Sequence, residues 1–379
     1  MLKAKLLLFL HSMKSKLAYL CSSKSWGGLE MNHLRNAEWM AQRGHDVVVI
    51  GLASTPFQER ALEMGLSFIA VESYRKYYDV RAVRRLKALL ERENVTHLII
   101  RSTRDMSITA GVKQKMRKQL HTSYFMEMQL GVKKTNLAHT LRFRQIDLWS
   151  CPLNWLADQV GEMTRFKNEL VVIPSGLDLS KFTPLISQDV ARKILGLPTD
   201  VRIFGLIGRF DPQKGQLLLL NAMKQCSQQN FSVVLLGEPT RDEGEAYFNS
   251  MQQIIADNQL EERVLIRGFR EDIVPFYSAV DWFVMATKAE TFGMVTIESL
   301  ACGTPVLGSN AGGTPELLEH ETSGRLFESM NAEDLAEKID AICEGNEKFD
   351  STKLREMTEK YDHHKVCSAV EKALGLDLK

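Results

Sequence analysis

Short runs of apolar, β-branched and aromatic residues recur along the chain, separated by stretches whose apolar positions repeat at helical spacing. Leu17–Ser22, Val47–Leu52, Phe68–Val71, His97–Arg101, Thr122–Met126, Leu148–Cys151 and Leu170–Ile173 form a first series. Ile203–Gly208, Val233–Gly237, Val264–Arg267, Trp282–Ala286 and Pro305–Gly308 form a second. Uninterrupted apolar runs suit strands buried on both faces, and helices between them supply the cover. The pattern therefore predicts an α/β chain of two doubly wound domains with parallel sheets. It breaks at PSGLDLSKFTP (174–184), where two prolines and a glycine stop the alternation. The expected boundary lies between 178 and 179, and 379 residues suit two domains.

Chemistry concentrates at a few of the predicted turns. Glu290 and Glu298 stand eight residues apart in ETFGMVTIE, where a glycine-bearing turn opens an apolar helix. Free amide groups and the positive dipole end at a helix start attract anions, and carboxylates accept hydrogen bonds from sugar hydroxyls. Phe292, Gly293, Met294 and Val295 would supply those amides. Upstream, VRIFGLIGRFDPQKGQ (201–216) is a strand ending at Gly208, then Arg209, then Lys214-Gly215 at a helix start. The carboxyl end of a strand is where open α/β sheets bind ligands. An Arg fork and a mobile Lys charge there suit a diphosphate. Gly27-Gly28, in SKSWGGLE at the first strand-to-helix turn, would let backbone amides approach an anion.

Together these segments resemble the retaining, two-domain glycosyltransferases of family 4 (glycosyl transferases group 1). The Glu-x7-Glu pair, the Arg…Lys pair and Gly-Gly-x-Glu carry the likeness, and Arg43-Gly44-His45-Asp46 adds to it. The turn at 174–184 is similar to the family's N-G-[IV]-D-x-x-x-F-x-P, with Ser175 where Asn is usual and Gly176, Asp178, Phe182 and Pro184 matching. The likeness is strong from 170 to 330 and looser before. It implies the GT-B fold, two Rossmann-like domains facing each other across a cleft. The first, 1–178, would take the acceptor side, with the terminal helix and segment 362–379 returning to it. The second, 179–361, would bind the nucleotide sugar.

The resemblance also assigns roles. Glu290 would grip the transferred sugar, Glu298 the ribose, and Arg209 with Lys214 the departing diphosphate. His121 would line the sugar's other face. Backbone groups at Gly268 and Phe269, after the run VLIRGF, would hold the base of a UDP- or GDP-sugar. No side chain is a covalent nucleophile in the family's picture; the acceptor attacks from the leaving-group face and passes its proton to the departing phosphate oxygen. No D-x-D follows a strand, so the basic pair and helix dipoles are expected to do a metal's work. No further cofactor is implied.

Composition is ordinary for a globular enzyme, 44% hydrophobic and 25% charged, and the six cysteines show no CxxC or metal-like spacing. No run reaches the length of a membrane span. MLKAKLLLFLHSMKS has a short apolar stretch without a small-x-small cleavage site and reads as an extension before the first core strand. These features predict a cytoplasmic protein, at most peripheral on the inner membrane face. The net charge of +1 conceals a division. Residues 1–180 hold 27 Lys and Arg against 16 Asp and Glu, and the remainder 21 against 31, a balance of +11 and −10. Basic residues gather in Tyr74–Arg92 and Lys113–Lys118. In the first, Val80, Val83, Leu86, Leu89 and Leu90 make an apolar stripe, with Arg81, Arg84, Arg85 and Lys87 off it. This suits peripheral attraction to anionic lipid, at about 1 kcal/mol per basic residue near the surface, or an acidic acceptor. No motif points to nucleic acid.

The function these observations imply is transfer of a hexose or N-acetylhexosamine from a nucleotide-diphosphate sugar to a glycan or lipid-linked acceptor, in surface polysaccharide or glycolipid assembly. Two other readings share the features: a nucleotide-sugar epimerase of the same fold, and a catalytically silent sugar-nucleotide-binding protein. A phosphorylase is disfavoured, because no pyridoxal-phosphate lysine motif is evident.

Overall fold

The computed structural model describes residues 15–239, 244–345 and 348–376. The expected N-terminal extension, residues 1–14, lies outside them. The described chain divides into two compact units, one running to residue 176 and resuming at His363, the other spanning Leu177–Asp362.

In the first unit, seven strands lie parallel in the order β3-β2-β1-β4-β5-β6-β7. They are β1 Lys16–Cys21, β2 Asp46–Leu52, β3 Phe68–Val71, β4 His97–Ile100, β5 His121–Phe125, β6 Leu148–Cys151 and β7 Glu169–Val172. Side chains alternate across the sheet. Ala18, Leu20, Val48 and Ile50 face a core closed by helices Val80–Arg92 and Met106–Met116, through residues such as Val83, Leu86 and Val112. Leu17, Tyr19, Val47 and Val49 face helices Gly28–Gln42, Pro56–Glu63 and His363–Leu374. The last helix buries Val366, Cys367, Val370 and Leu374 in that second core. A polar clasp fixes it: Arg43 donates from Nε and Nη2 to Glu371 at 2.7 and 2.6 Å, and His45 Nε2 lies 2.8 Å from the same carboxylate. The Arg-Gly-His turn noted in the sequence thus has a structural task.

The helix Val80–Arg92 buries Ala82, Val83, Leu86, Leu89 and Leu90, and Asp79 caps it by accepting from the Ala82 amide at 2.9 Å. Val80, expected in the stripe, is instead 57% exposed. It is the first helical residue and precedes the turn that meets the sheet.

The second unit repeats the plan with six parallel strands ordered β10-β9-β8-β11-β12-β13. They are β8 Arg202–Ile207, β9 Phe231–Leu236, β10 Val264–Arg267, β11 Trp282–Met285, β12 Val306–Ser309 and β13 Gly324–Phe327. Strand β13 was not expected. Its sequence, GRLF, begins with glycine and arginine, and it pairs only with β12 at the sheet edge, so it lacks the apolar run of a central strand. In each sheet the winding reverses once, between β1 and β4 and between β8 and β11. The loops leaving the carboxyl ends there diverge and leave a crevice.

All six cysteines are free, and all but Cys343 are buried. Among the described residues no helix is long and apolar enough to cross a membrane.

Candidate functional site

The two loops flanking the β8/β11 reversal carry the residues that the sequence singled out. After β8 come Gly208 and Arg209, then a turn in which the Lys214 amide bonds the Asp211 carbonyl at 3.1 Å. Gly215 begins the helix Gln216–Met223 at φ +77°, and a β-carbon there would stand 2.1 Å from the Ala286 carbonyl oxygen. Only glycine lets this turn lie against the end of β11. The buried Gln216 side chain ties the loop back, donating to the Arg209 carbonyl at 2.9 Å. Arg209 is exposed, with its Nε 3.8 Å from Asp211.

After β11 the chain reaches Glu290, whose carboxylate stands 3.8 Å from the Lys214 ammonium. That distance is loose for an ion pair, and both side chains remain partly open to solvent. The Glu290 backbone is held more firmly than its side chain. It bridges to Gly312, and its carbonyl accepts from the Gly313 amide at 2.8 Å. Gly312 stands at φ +65°, and a β-carbon on it would come 2.3 Å from the Glu290 oxygen. The Gly-Gly turn after β12 is therefore the brace for Glu290.

Gly293, at φ +83°, is the N-cap of helix Met294–Ala301 and supplies no side-chain cap. The amides at this helix start are thus not satisfied by a capping side chain, beside the Lys214–Glu290 pair. The Thr296 hydroxyl is fully buried and has no hydrogen-bond partner among the described residues. It lies 3.3 Å from where a Gly293 β-carbon would be. Glu298 sits half-buried further along the helix, and the enclosed Tyr277 hydroxyl donates to its Oε2 at 2.9 Å. Burial, then the charge of Glu298, pushes the Tyr277 hydroxyl well above its ordinary range, so it stays a donor and orients the carboxylate. Gly268 and Phe269 follow β10, where the Phe269 amide reaches Glu238 at 3.4 Å and its ring is exposed.

Thus Gly208, Arg209, Lys214, Glu290, Phe292, Gly293, Met294, Val295 and Glu298 gather at one reversal point, with Gly268 and Phe269 at the same carboxyl edge. Sequence reasoning passed over Gln216, Tyr277, Thr296 and the bracing role of Gly312. Their only sequence signal was proximity to the motifs, and Tyr277 lacked even that.

In the first unit, Gly27 and Gly28 follow β1 at the reversal point, and Gly27 is an N-cap without a side-chain bond. His121 does not join them. It is the first residue of β5, paired in register with His97, at the amino end of a parallel sheet. Its ring packs 5.3 Å from that of His97, and burial lowers its pKa. The expected ligand role fails on direction, because the strand starts at this histidine rather than ending there. The carboxyl end instead presents Glu127, which pairs with Arg101 after β4. Asn32 and Ser175 donate to Glu127 at 3.3 and 3.1 Å. Burial raises the Glu127 carboxyl above its usual range, with Arg101 opposing. Alongside, the buried Asp105 accepts from Tyr74 at 2.6 Å and from the Ser22 hydroxyl.

Two family models account for most of the chain: glycosyltransferase family 4 over residues 26–181 and glycosyl transferases group 1 over 187–363. The chain belongs to the group 1, family 4 glycosyltransferases, and its two-domain α/β architecture is the GT-B fold. Among curated relatives it resembles the D-inositol 3-phosphate glycosyltransferase of Mycolicibacterium smegmatis, 32% identical over 47% of this chain and 41% of that one. It also resembles the UDP-Gal:alpha-D-GlcNAc-diphosphoundecaprenol alpha-1,3-galactosyltransferase of Escherichia coli, 34% identical over 42% of this chain and 41% of that one. The match thus spans about two-fifths of the length of these curated relatives. Among solved structures, a glycosyltransferase of Rickettsia africae superposes with a TM-score of 0.83 at 20% identity, covering 96% of this chain and 100% of the other. Anabaena HepE in complex with UDP gives 0.83 at 22% identity, covering 95% and 99%.

Proposed function

We propose that this protein transfers a hexose or N-acetylhexosamine from a UDP- or GDP-sugar to a glycan or lipid-linked acceptor, with retention of anomeric configuration. The observation that carries the reading is the convergence of Arg209, Lys214 and Glu290 with the uncapped start of helix Met294–Ala301 at the β8/β11 reversal. Two cations and a set of amides match a leaving diphosphate. A carboxylate beside them matches sugar hydroxyls.

In this reading the bond from the anomeric carbon to the phosphate oxygen breaks as the acceptor oxygen bonds to the same face of that carbon. The acceptor proton passes to the departing phosphate oxygen. Arg209 and Lys214 stabilise the charge that grows there, a contribution that is strongest where donors are already in place. The Tyr277–Glu298 hydrogen bond orients the carboxylate that this reading assigns to the ribose. The chain lacks a D-x-D after a strand, and these cations take the part of a divalent metal. The relatives' activities, on inositol phosphate and on a lipid-linked diphosphate sugar, support acceptors of anionic or lipid-linked kind. The first unit's basic helix Val80–Arg92 would accordingly bring the protein to an anionic membrane on the cytoplasmic side, for surface polysaccharide or glycolipid assembly.

A screen of UDP- and GDP-sugars for nucleoside diphosphate release tests this directly. Release that persists in EDTA, with a product of unchanged anomeric configuration, is expected. Conversion to an epimer without transfer, or binding without turnover, would replace the reading. Release abolished by EDTA and restored by Mg²⁺ would overturn its metal-independent part.

A further inference from the structure

Two segments of the first unit place large side chains in water at the carboxyl end of its sheet. The loop after β3 carries Tyr78, 89% exposed. The segment after β5 carries Val132, 67% exposed, and Leu137, 72% exposed, with Leu141 one turn further along helix Leu137–Phe143. Tyr78 also holds φ at +56°. A bulky residue in the left-handed region costs free energy, and here the ring, with its centre 6.5 Å from that of Tyr77, buries little in return. Asn, Asp or Gly would make that turn more easily, so folding does not require tyrosine there.

Cations surround these tips. The Arg142 guanidinium lies 4.9 Å and the Lys76 ammonium 5.5 Å from the centre of the Tyr77 ring, joining the loop to the helix. Lys134 stands close enough for the charges of Lys76 and Arg142, after burial, to lower its pKa. Among the described residues none of Lys76, Lys134 and Arg142 forms an ion pair with a carboxylate. The helix face Val80–Arg92 differs. Arg85 pairs with Glu72 at 3.2 Å, Lys87 with Glu91, and Val80 is its one exposed large apolar side chain. That face can attract a membrane but has little to insert.

We infer that the edge formed by Tyr78, Val132, Leu137 and Leu141, with Lys76, Lys134 and Arg142, is an interfacial docking surface for a bilayer rich in anionic lipid. Separate apolar tips among cations without a carboxylate partner, Arg142 being held by Ser107 and His139, suit a soft, negatively charged interface, where rings and aliphatic ends enter the headgroup layer. A rigid protein partner would favour a continuous apolar patch instead. The tips follow the carboxyl ends of β3 and β5, the same end of the sheet as the Gly27–Gly28 turn after β1. Docking there brings the proposed acceptor side of this unit to the lipid surface. The inference deepens the proposed function and rests on it for the lipid-linked acceptor.

The test uses the full chain, as wild type, as Tyr78→Ser/Leu137→Ser/Leu141→Ser and as Arg81→Glu/Arg84→Glu. Each is sedimented with phosphatidylcholine vesicles and with vesicles containing phosphatidylglycerol. The wild type should bind the anionic vesicles at least tenfold better than the neutral ones, more weakly as salt rises. The triple-serine variant should lose at least tenfold, the helix-face variant a few-fold. Equal binding by wild type and triple variant would overturn the inference, as would equal binding to both vesicle types or none to either. A solution dimer that the triple variant dissolves would assign the surface to a second copy of the chain and also overturn it. Nucleoside diphosphate release with a water-soluble acceptor, measured on the same preparations, separates the two readings. Transfer without vesicle binding sinks only the docking surface; vesicle binding without transfer sinks the proposed activity.

Discussion

At the reversal point of the first sheet, Arg101 and Glu127 are 7% and 9% exposed and are bound tightly to each other. At the corresponding point of the second sheet, Lys214 and Glu290 are 34% and 23% exposed and stand 3.8 Å apart. Both pairs follow carboxyl ends of central strands in sheets wound in the same way. Their surroundings separate them. Glu127 also receives Asn32 and Ser175, so the first pair has its partners inside the fold. Glu290 is braced through its backbone and accepts from the adjacent Thr291 amide at 3.2 Å, and its carboxylate and the Lys214 ammonium stay partly open to a ligand. A buried, satisfied charge is a matter of stability; a positioned but loosely paired charge is a matter of binding and catalysis.

That contrast is broken most sharply by Glu127→Ala. The substitution leaves the Arg101 guanidinium enclosed without its anion, which typically costs about 3–5 kcal/mol. Chemical unfolding of the full chain should show that loss in the transition assigned to the first unit. Nucleoside diphosphate affinity should remain near wild type under folding conditions. A variant of normal stability would show that Arg101 finds water or another partner.

The second sheet makes the opposite prediction. Arg209→Ala and Lys214→Ala should each lower turnover on the order of 10²-fold with little loss of stability, and the double variant should lose less than the product of the two. Both cations meet one leaving group, so their effects are coupled. Small, independent effects on kcat would mark them as ordinary surface charges.

How far the sequence could be read follows the same contrast. Strands buried on both faces, such as Leu17–Ser22 and Val47–Leu52, were legible because burial demands unbroken apolar runs. Strand β13 was not, because its sequence at an edge is half-polar. In the second unit the site was legible because its residues lie in two short loops with glycines at forced positions. Tyr277 was invisible, since it reaches Glu298 through packing and belongs to no motif. His121 was misplaced by the resemblance and not by the pattern, since the run Thr122–Met126 already set this histidine at the amino end of its strand. Arg101 and Glu127 form a pair 26 residues apart, a contact that exists only once β4 and β5 lie side by side.

A smaller effect checks the clasp on the C-terminal helix. Burial alone would raise the Glu371 carboxyl, but hydrogen bonds and charge from Arg43 and His45 outweigh it and hold it below its ordinary range. With its folded pKa depressed, the clasp contributes fully above the unfolded value of about 4.3 and is lost as pH falls through the folded value. Thermal unfolding of the wild type followed toward low pH should therefore show a decline that Glu371→Gln flattens. Parallel pH profiles for the two proteins would remove Glu371 from the account.

The central claim, that the half-open cluster at the β8/β11 reversal holds a sugar beside its leaving diphosphate, is tested most directly by Glu290→Gln. Turnover of the nucleotide sugar and affinity for the free nucleoside diphosphate would be measured on one preparation, with Glu298→Ala beside it. The account predicts that Glu290→Gln lowers kcat on the order of 10²-fold while nucleoside diphosphate affinity stays within about twofold of wild type, because the lost contact is to sugar in the transition state. Glu298→Ala should do the reverse, weakening nucleotide binding about tenfold. Near-normal turnover in Glu290→Gln, or an equal loss of nucleotide affinity in both variants, would contradict it.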